Sequence, residues 1–230
     1  MTLPVAILAG GKATRLGDLA RHTPKSLMDV SGRPFAVHQL ELLRRHSIDD
    51  VVFCVGHLGE QLAAAIGDGS AHRVRVRYSS DGEQALGTGG AIRNALGLLG
   101  SRFFVLYGDS YLDCDYQAIA RAFVDLRRDG LMTVLGNDGQ WDRSNVVYHD
   151  GRIVRYDKTH PTSDMRHIDY GLGVFNARAF EAYPPGRAFD LAEVYQALLT
   201  RNELAAYEVT TRFYEIGGPR GLEETREHLT

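Results

Sequence analysis

Short apolar runs alternate along the chain with longer amphipathic stretches. The apolar runs are Val5–Ala9, Val51–Val55, Val74–Val76, Phe103–Tyr107 and Leu131–Leu135. Runs of this length predict buried β-strands, and most of the stretches between them are long enough for helices. The repeated order of strand, helix and strand is typical of a largely parallel sheet that is covered by helices on both faces. The pattern therefore predicts an α/β fold.

Three helices can be placed from the spacing of their apolar residues. Between Asp115 and Arg128 the apolar positions recur at i, i+3, i+4 and i+7, which predicts a helix with one buried face. The same spacing follows Asp190, and Glu193 three residues later is typical of a capping pair. A further helix is predicted after Pro34, from Val37, Leu40 and Leu43.

The pattern changes to strand-like runs between Asn145 and Asn176. These runs are Val146–His149, Ile153–Tyr156 and Tyr170–Phe175, with Asp150-Gly151 as the predicted hairpin turn. The chain has no internal repeat and no linker-like segment. We therefore predict a single domain over residues 1–230, with a small β-rich insertion over the sheet's edge at about residues 141–176.

Composition excludes several classes of protein. Hydrophobic residues make up 44% and charged residues 24% of the 230 residues, which excludes a disordered chain, a collagen-like repeat and a disulfide scaffold. The net charge of −3 is interspersed, so neither nucleic acid nor a membrane surface is expected as a partner. The stretch Leu3–Ala9 is too short to span a bilayer and lacks the basic region of a signal peptide, which favours a cytoplasmic location. Cys54 and Cys114 are isolated and are expected to be free buried thiols.

A glycine-rich loop with cations follows the first apolar run. Gly10, Gly11 and Lys12 come directly after this run, Arg15 lies a few residues further on, and Lys25 follows Pro24. Glycines let backbone N–H groups approach phosphate oxygens, and the cations offset the charge of a polyphosphate. The alternative from this loop alone is a glycine-rich turn with solvated cations. Neither the Walker pattern nor the dinucleotide fingerprint is present, which disfavours a P-loop NTPase and a nicotinamide oxidoreductase.

A carboxylate follows the apolar run Phe103–Tyr107. Asp109 stands at the carboxyl end of this predicted strand, where ligands bind in open α/β sheets, so it is a candidate Mg²⁺ ligand. Magnesium takes one or two protein carboxylates together with substrate phosphates, and Glu215 is the best candidate for the second. Taken alone, either residue would more often be a turn acid, and only their combination favours a metal site. Tyr107 and Phe175 are expected to be core residues.

Several segments together resemble the signature of the sugar-1-phosphate nucleotidyltransferases. They occur in the expected order over almost the whole chain: Leu8–Leu16, Pro24–Ser26, Leu86–Ala91, Gly108-Asp109, Tyr156–Lys158 and Phe213–Gly217. Within this group the compact length and the segment Ile168–Phe175 are most similar to the D-glycero-α-D-manno-heptose 1-phosphate guanylyltransferases of bacterial surface-polysaccharide pathways. The resemblance implies a Rossmann-like nucleotidyltransferase sheet, GTP and a sugar 1-phosphate as substrates, and Mg²⁺ as cofactor.

The resemblance also implies residue roles. The implied nucleotide-binding residues are Leu8, Ala9, Gly10, Gly11, Lys12, Arg15, Lys25, Gly87, Thr88 and Asp109. The implied sugar-phosphate residues are Asn145, Lys158, Asp169 and Gly171. Asp109 and Glu215 are implied as metal ligands, and Arg15, Lys25 and Asp109 as the catalytic residues.

This chain departs from the commoner signature at two positions, and other functions stay open. Ala13 replaces a glycine of the loop, and Glu215 replaces an aspartate at the second metal position. The alternatives are a mannose 1-phosphate guanylyltransferase, a glucose or N-acetylmuramate 1-phosphate nucleotidyltransferase, and a non-catalytic regulator that binds sugar nucleotides. The sequence also leaves a homo-oligomer open.

Overall fold

A nine-stranded sheet with helices on both faces forms the centre of the molecule. The computed structural model describes residues 2–11 and 23–230, so the predicted residues Lys12 and Arg15, and Ala13, lie outside the described residues. The strands are β1 (Val5–Leu8), β2 (Asp29–Val30), β3 (Arg33–Pro34), β4 (Asp50–Val55), β5 (Arg75–Ser80), β6 (Arg102–Tyr107), β7 (Ser110–Tyr111), β8 (Gly130–Gly136), β9 (Val146–His149), β10 (Arg152–Tyr156), β11 (His167–Asn176), β12 (Leu204–Val209) and β13 (Tyr214–Glu215). The helices are α1 (Phe35–Arg45), α2 (Gly59–Ile66), α3 (Gly87–Leu99), α4 (Tyr116–Leu126), α5 (Leu191–Thr200) and α6 (Pro219–His228).

One half of the sheet is parallel. β1 lies between β4 and β6 and runs parallel to both, and β5 extends the sheet parallel to β4. The carboxyl ends of β6, β1, β4 and β5 therefore meet at one edge of the sheet. The five apolar runs predicted as strands all form strands of this sheet, which confirms the predicted α/β architecture.

The pleat of β1 shows why the sheet needs helices on both sides. Val5 and Ile7 point into one core cluster and Ala6 points into another. The first cluster receives Leu40 and Leu43 of α1 and Ile119 and Phe123 of α4, and the second receives Ile92 and Ala95 of α3 and Val194 and Leu198 of α5. Burying each large apolar side chain stabilises the fold by about 1.5–3 kcal/mol, so both layers are needed.

The three helices placed from sequence are confirmed, with one difference at a cap. The Asp190 carboxylate accepts a hydrogen bond from the backbone N–H of Ala192 and caps the start of α5. The carboxylate of Glu193, the expected second member of the capping pair, instead accepts from the Arg187 guanidinium at 2.8 Å. The cap of α5 therefore rests on Asp190.

The β-rich segment belongs to the main sheet. β9 and β10 form the predicted hairpin, and Asp150 and Gly151 at its turn have φ angles of 47° and 78°. β11 pairs antiparallel with β6 on one side and with β8 on the other, and β12 extends the sheet parallel to β8. The expectation that this segment lies over the sheet's edge is therefore wrong for β11, which is an internal strand and is buried along most of its length.

Two smaller predictions concern the cysteines and the membrane. Cys54 and Cys114 are free and buried, as predicted, and burial raises the pKa of the Cys54 thiol to about 12. Across residues 2–11 and 23–230, no helix has the length and apolar character that crossing a membrane requires.

Candidate active site

A cavity of about 340 Å³ opens at the carboxyl edge of the parallel strands. Open α/β sheets bind ligands at this edge, because the loops that follow the strands converge there. Every predicted nucleotide-binding residue within the described part of the chain lines this cavity: Leu8, Ala9, Gly10, Gly11, Lys25, Gly87, Thr88 and Asp109. We call it the nucleotide cavity.

A close approach of two strand ends places Asp109 at the nucleotide cavity. Gly108 follows β6, and its backbone N–H donates to the carbonyl of Leu8 at 3.0 Å. A Cβ atom at Gly108 would stand 2.6 Å from the Leu8 carbonyl oxygen and 3.2 Å from the Ala9 Cα atom. Only glycine allows the ends of β6 and β1 to approach this closely. Asp109, the next residue, is therefore held at the cavity wall.

Asp109 forms an ion pair with Lys25. The Lys25 ammonium lies 2.9 Å from the Oδ2 atom of Asp109, and the two side chains are 17% and 22% exposed. Lys25 begins a short 3-10 turn, Lys25–Leu27, after Pro24 in an extended conformation. The two predicted catalytic residues that the structure describes thus lie in direct contact, in a partly buried position where charge interactions are stronger than in bulk water.

The turn that carries Gly87 and Thr88 is fixed to the start of α5. Gly87 has a φ of +69°, and a Cβ atom there would lie 2.6 Å from the carbonyl oxygen of Phe189. The Thr88 hydroxyl accepts a hydrogen bond from the backbone N–H of Leu191, the first residue of α5, at 2.7 Å. One wall of the nucleotide cavity is therefore attached to the helix that follows β11.

Asp81 also lines the nucleotide cavity, and the sequence reasoning missed it. It directly follows β5, and its Oδ2 atom accepts a hydrogen bond from the backbone N–H of Leu86 at 3.0 Å. Partial burial raises the pKa of this carboxyl group above its usual value. Its position after a parallel strand is the same signal that identified Asp109, and this signal could have found it.

Lys158 and Tyr107 form a second group of side chains beside the cavity. The Lys158 ammonium donates to the hydroxyl oxygen of Tyr107 at 2.9 Å and lies 5.2 Å from the centre of the Tyr107 ring. Tyr107 is the last residue of β6 and itself lines the nucleotide cavity. Burial raises the pKa of Tyr107 to about 12, so its hydroxyl is protonated at neutral pH. The expectation that Tyr107 is a core residue is therefore wrong, whereas Phe175 is fully buried as expected.

The other predicted sugar-phosphate residues gather around Asp169. Its Oδ2 atom accepts from the Tyr156 hydroxyl at 3.1 Å, and its Oδ1 atom accepts from the backbone N–H of Gly171 at 3.1 Å. The Oδ1 atom of Asn145 accepts from the Asp169 backbone N–H at 2.9 Å. Burial raises the pKa of the Asp169 carboxyl, while the positive charge of Lys158 opposes that change. Asn145, Asp169 and Gly171 are thus joined by hydrogen bonds, and the charge of Lys158 acts on the Asp169 carboxyl without a direct hydrogen bond between them.

A buried glutamine of α1 fixes the turn that carries Asp109, and the sequence reasoning missed this residue as well. The Nε2 atom of Gln39 donates to the carbonyl oxygens of Ser110 and Tyr107, at 2.8 and 3.3 Å. These two residues flank Gly108-Asp109, so a single side chain holds both sides of the turn. No sequence pattern marks such a residue, because it lies within an otherwise ordinary amphipathic helix.

Glu215 lies on the strand next to the Asp109 turn. β13 pairs antiparallel with β7, with Glu215 opposite Ser110, and the backbone N–H of Ile216 donates to the carbonyl of Asp109 at 2.8 Å. Glu215 also lines a separate cavity of about 220 Å³ that includes Arg212. A carboxylate in this turn and another on the adjacent strand suit Mg²⁺, which takes one or two protein carboxylates and completes its shell with phosphate oxygens and water. Outside residues 1 and 12–22, no cluster of three or more potential metal ligands forms a closed site.

Comparisons with known proteins agree with a candidate active site at this edge of the sheet. The family described as nucleotidyl transferase matches residues 5–150 of this chain, which is more than half of its length. The chain therefore belongs to the nucleotidyl transferase family, and this confirms the resemblance predicted from the motifs.

Two curated relatives match most of the chain. The N-acetylmuramate alpha-1-phosphate uridylyltransferase of Neisseria meningitidis serogroup B is 29% identical, over 96% of this chain and 95% of the relative. The mannose-1-phosphate guanylyltransferase of Mycobacterium tuberculosis is 30% identical, over 93% of this chain and 60% of the relative. The chain thus spans nearly the whole of the first relative and about three fifths of the second.

A solved structure with a similar fold is HddC from Yersinia pseudotuberculosis complexed with GMP-PN. It superposes with a TM-score of 0.82 at 23% identity, and the match covers 100% of both chains. This likeness confirms the fold.

Proposed function

We propose that this enzyme joins a sugar 1-phosphate to the nucleotidyl group of GTP and releases pyrophosphate. A phosphate oxygen of the sugar 1-phosphate attacks the α-phosphorus of GTP, and the bond between that phosphorus and the oxygen bridging to the β-phosphate breaks. A sugar phosphate has a second pKa of about 6, so at neutral pH it is already largely dianionic and needs no general base. The task of the protein is then alignment and charge stabilisation.

The observation that carries this proposal is the contact between the two predicted substrate sites. Tyr107 lines the nucleotide cavity, and its hydroxyl accepts from Lys158, the predicted ligand of the sugar phosphate. A reaction between two phosphates requires their binding sites to share a boundary of this kind. Holding both substrates in line can supply several kcal/mol of the barrier reduction.

The charged residues divide between the two substrates. We assign Lys25 and Arg15 to the nucleotide phosphates, because Lys25 lines the nucleotide cavity and Arg15 belongs to the glycine-rich loop. Asp109 and Glu215 would hold Mg²⁺, which supplies positive charge next to the phosphates when it is bound. Lys158 is exposed beside the cavity and is assigned to the phosphate of the acceptor sugar.

Asp81 supports guanine as the preferred base. Guanine presents a ring N–H and an exocyclic amine that both need hydrogen-bond acceptors, and a carboxylate provides acceptors only. The Asp81 side chain is held at the cavity wall by the N–H of Leu86, so it is oriented before any ligand binds. The guanylyltransferase from Mycobacterium tuberculosis and the GMP-PN complex of HddC are consistent with a guanine nucleotide, whereas the relative from Neisseria meningitidis is a uridylyltransferase.

The proposed acceptor is D-glycero-α-D-manno-heptose 1-phosphate. Heptose and mannose differ by one hydroxymethylene, and apolar contact with such a group discriminates only about 10- to 200-fold. Polar groups close to the additional hydroxyl are needed for stronger selection, and Asp169 and Asn145, which are hydrogen-bonded to each other, are the candidates. Mannose, glucose or N-acetylmuramate 1-phosphate as the acceptor are the competing assignments.

Steady-state pyrophosphate release with a panel of substrates tests the proposal. We expect GTP to exceed ATP, UTP and dTTP in kcat/KM, and the heptose 1-phosphate to exceed mannose 1-phosphate. Asp81→Asn replaces one acceptor oxygen with an amide donor, so it should reduce kcat/KM for GTP by roughly 10-fold while affecting UTP less. Asp125→Asn, at an exposed position on α4, is the matched control.

Three results would contradict parts of the proposal. Equal use of GTP, UTP and dTTP would overturn the base assignment. Equal use of heptose and mannose 1-phosphates would overturn the sugar assignment. No pyrophosphate release with any combination of substrates would overturn the proposed reaction.

A further inference from the structure

The Tyr107 hydroxyl stands between the nucleotide cavity and the group around Asp169. Its oxygen accepts from Lys158, and its ring forms part of the cavity wall. The backbone of Tyr107 is held in place at two points. Tyr107 pairs with Leu8 of β1, and its carbonyl oxygen accepts a hydrogen bond from the Gln39 side chain. The end of β6 therefore carries a hydroxyl that links Lys158 to the wall of the nucleotide cavity.

We propose that Tyr107 is a positioning residue for the transfer step, which holds the Lys158 ammonium at the boundary between the two substrate sites. This inference rests on the proposed function. A sugar phosphate bound by Lys158 then faces the α-phosphate of the nucleotide instead of the solvent. Lysine has a flexible four-carbon stem, and fixing such a side chain in advance lowers the entropic cost of substrate binding.

A phenol suits this role better than a carboxylate would. Its oxygen is a neutral acceptor, so Lys158 keeps its full positive charge and two of its three N–H donors for a phosphate. The nearby carboxylate of Asp169 is engaged by the Tyr156 hydroxyl and by the backbone N–H of Gly171. The hydroxyl of Tyr107 therefore fixes the direction of the ammonium without neutralising it.

Tyr107→Phe tests the inference, because it keeps the ring in the cavity wall and removes only the hydroxyl. We expect kcat/KM for the sugar 1-phosphate to fall about 10-fold, through a higher KM and a lower kcat. The dissociation constant for GTP, measured by calorimetry without the sugar, should stay within about twofold of the parent value. Tyr78→Phe is the matched control: it removes a hydroxyl bonded to the Gly67 carbonyl at 2.7 Å, on another strand of the same sheet.

A double-mutant cycle separates positioning through Lys158 from a general structural effect. If Tyr107 acts through Lys158, adding Tyr107→Phe to Lys158→Met should change kcat/KM by less than about twofold. Losses that multiply independently would overturn the inference. Unchanged sugar-phosphate kinetics in Tyr107→Phe alone would also overturn it.

The proposed function and the positioning role of Tyr107 are refuted by different results. A parent enzyme that releases pyrophosphate normally, together with a Tyr107→Phe variant of equal kinetics, refutes the positioning role and leaves the proposed function standing. A parent enzyme that turns over no sugar 1-phosphate overturns the proposed function and this inference with it.

Discussion

The pair of Lys25 and Asp109 shows how single residues acquire a role from their place in the fold. Neither residue type is unusual, and a lysine or an aspartate next to a turn is normally solvated. Here Asp109 follows the end of β6 and Lys25 begins a short 3-10 turn, and the two side chains meet at 2.9 Å in a partly buried cavity. The chemistry assigned to each side chain therefore depends on this location.

Asp109→Asn tests the assigned metal role. The amide keeps the size of the side chain but removes the negative charge that a hard cation requires, so we expect the Mg²⁺-dependent rate to fall on the order of 10²-fold or more. The thermal unfolding midpoint should change little by comparison, because the side chain is at the cavity wall and not in the core. Pyrophosphate release and thermal unfolding of the purified protein measure both effects.

A neighbouring aspartate provides the control for this experiment. Asp113 lies a few residues further along, is 49% exposed and contacts His46 on the outer surface. Asp113→Asn should therefore leave the rate unchanged. If Asp109→Asn retained the parent rate, Asp109 would have no part in metal binding.

The two lysines should affect different substrates. Lys25→Met removes the cation at the nucleotide cavity and should chiefly weaken the use of GTP, whereas Lys158→Met should chiefly raise KM for the sugar phosphate. Each loses a charge-assisted contact worth roughly 1.5–3 kcal/mol, which is about 10- to 150-fold. Kinetics in which each substrate is varied in turn measure the difference. Equal effects of both variants on both substrates would contradict the arrangement of the two sites.

At the scale of elements, α1 supports the turn between β6 and β7. Gln39→Met keeps the length of the side chain and removes both hydrogen bonds to the carbonyls of Tyr107 and Ser110, so it should lower the free energy of unfolding by about 1–3 kcal/mol. Gln117→Met is a matched control, because Gln117 donates a single bond of 3.2 Å to the carbonyl of His46. Urea unfolding should show a larger loss for Gln39→Met, and equal losses would contradict this supporting role.

The loop that follows β10 should respond to acid. The Asp157 carboxylate accepts from the backbone N–H groups of His160 and Thr159 and from the Thr159 hydroxyl, and these bonds lower its pKa to about 2. Because the folded-state pKa is depressed, the stabilisation is present above the ordinary value of 3.8 and is lost as the pH falls through about 2. Carbon NMR of the carboxyl group measures the midpoint. A midpoint near 4 would show that these bonds are not maintained in solution.

The elements that the sequence predicts well are those with a clear period. The buried strands and the helices after Pro34, Asp115 and Asp190 follow from apolar spacing, because burial on one or both faces imposes that spacing. Strand order does not follow from spacing, which explains why β11 was expected over the edge of the sheet and lies inside it.

The site residues also divide into those that a local sequence pattern predicts and those that depend on the tertiary arrangement. Asp109 could be predicted because a carboxylate after a buried strand lies at the ligand-binding edge of an α/β sheet. Tyr107 could not be recognised, since an aromatic residue at the end of an apolar run is indistinguishable from a core residue until its hydroxyl has a partner. Gln39 was missed because its role depends on two carbonyls that lie about 70 residues away in the chain.

At the scale of the whole molecule, the two halves of the sheet carry different parts of the candidate active site. The parallel strands β6, β1, β4 and β5 surround the nucleotide cavity, while β10, β11 and the loops beside them carry the group around Asp169. The two groups meet at Tyr107, at the end of β6, where the parallel half borders the antiparallel β11. This is the arrangement that the proposed reaction between two separately bound phosphates requires.

Phosphorus NMR of a complete reaction tests this account most directly. The purified protein is mixed with GTP, Mg²⁺ and a sugar 1-phosphate, and the resonances of all phosphates are followed over time. We expect the sugar 1-phosphate and the γ-phosphate resonances to disappear together, while pyrophosphate and a sugar-linked diphosphate form in equal amounts. Release of inorganic phosphate and GDP with the sugar 1-phosphate unchanged would contradict it, because the enzyme would then hydrolyse the nucleotide and not transfer its guanylyl group.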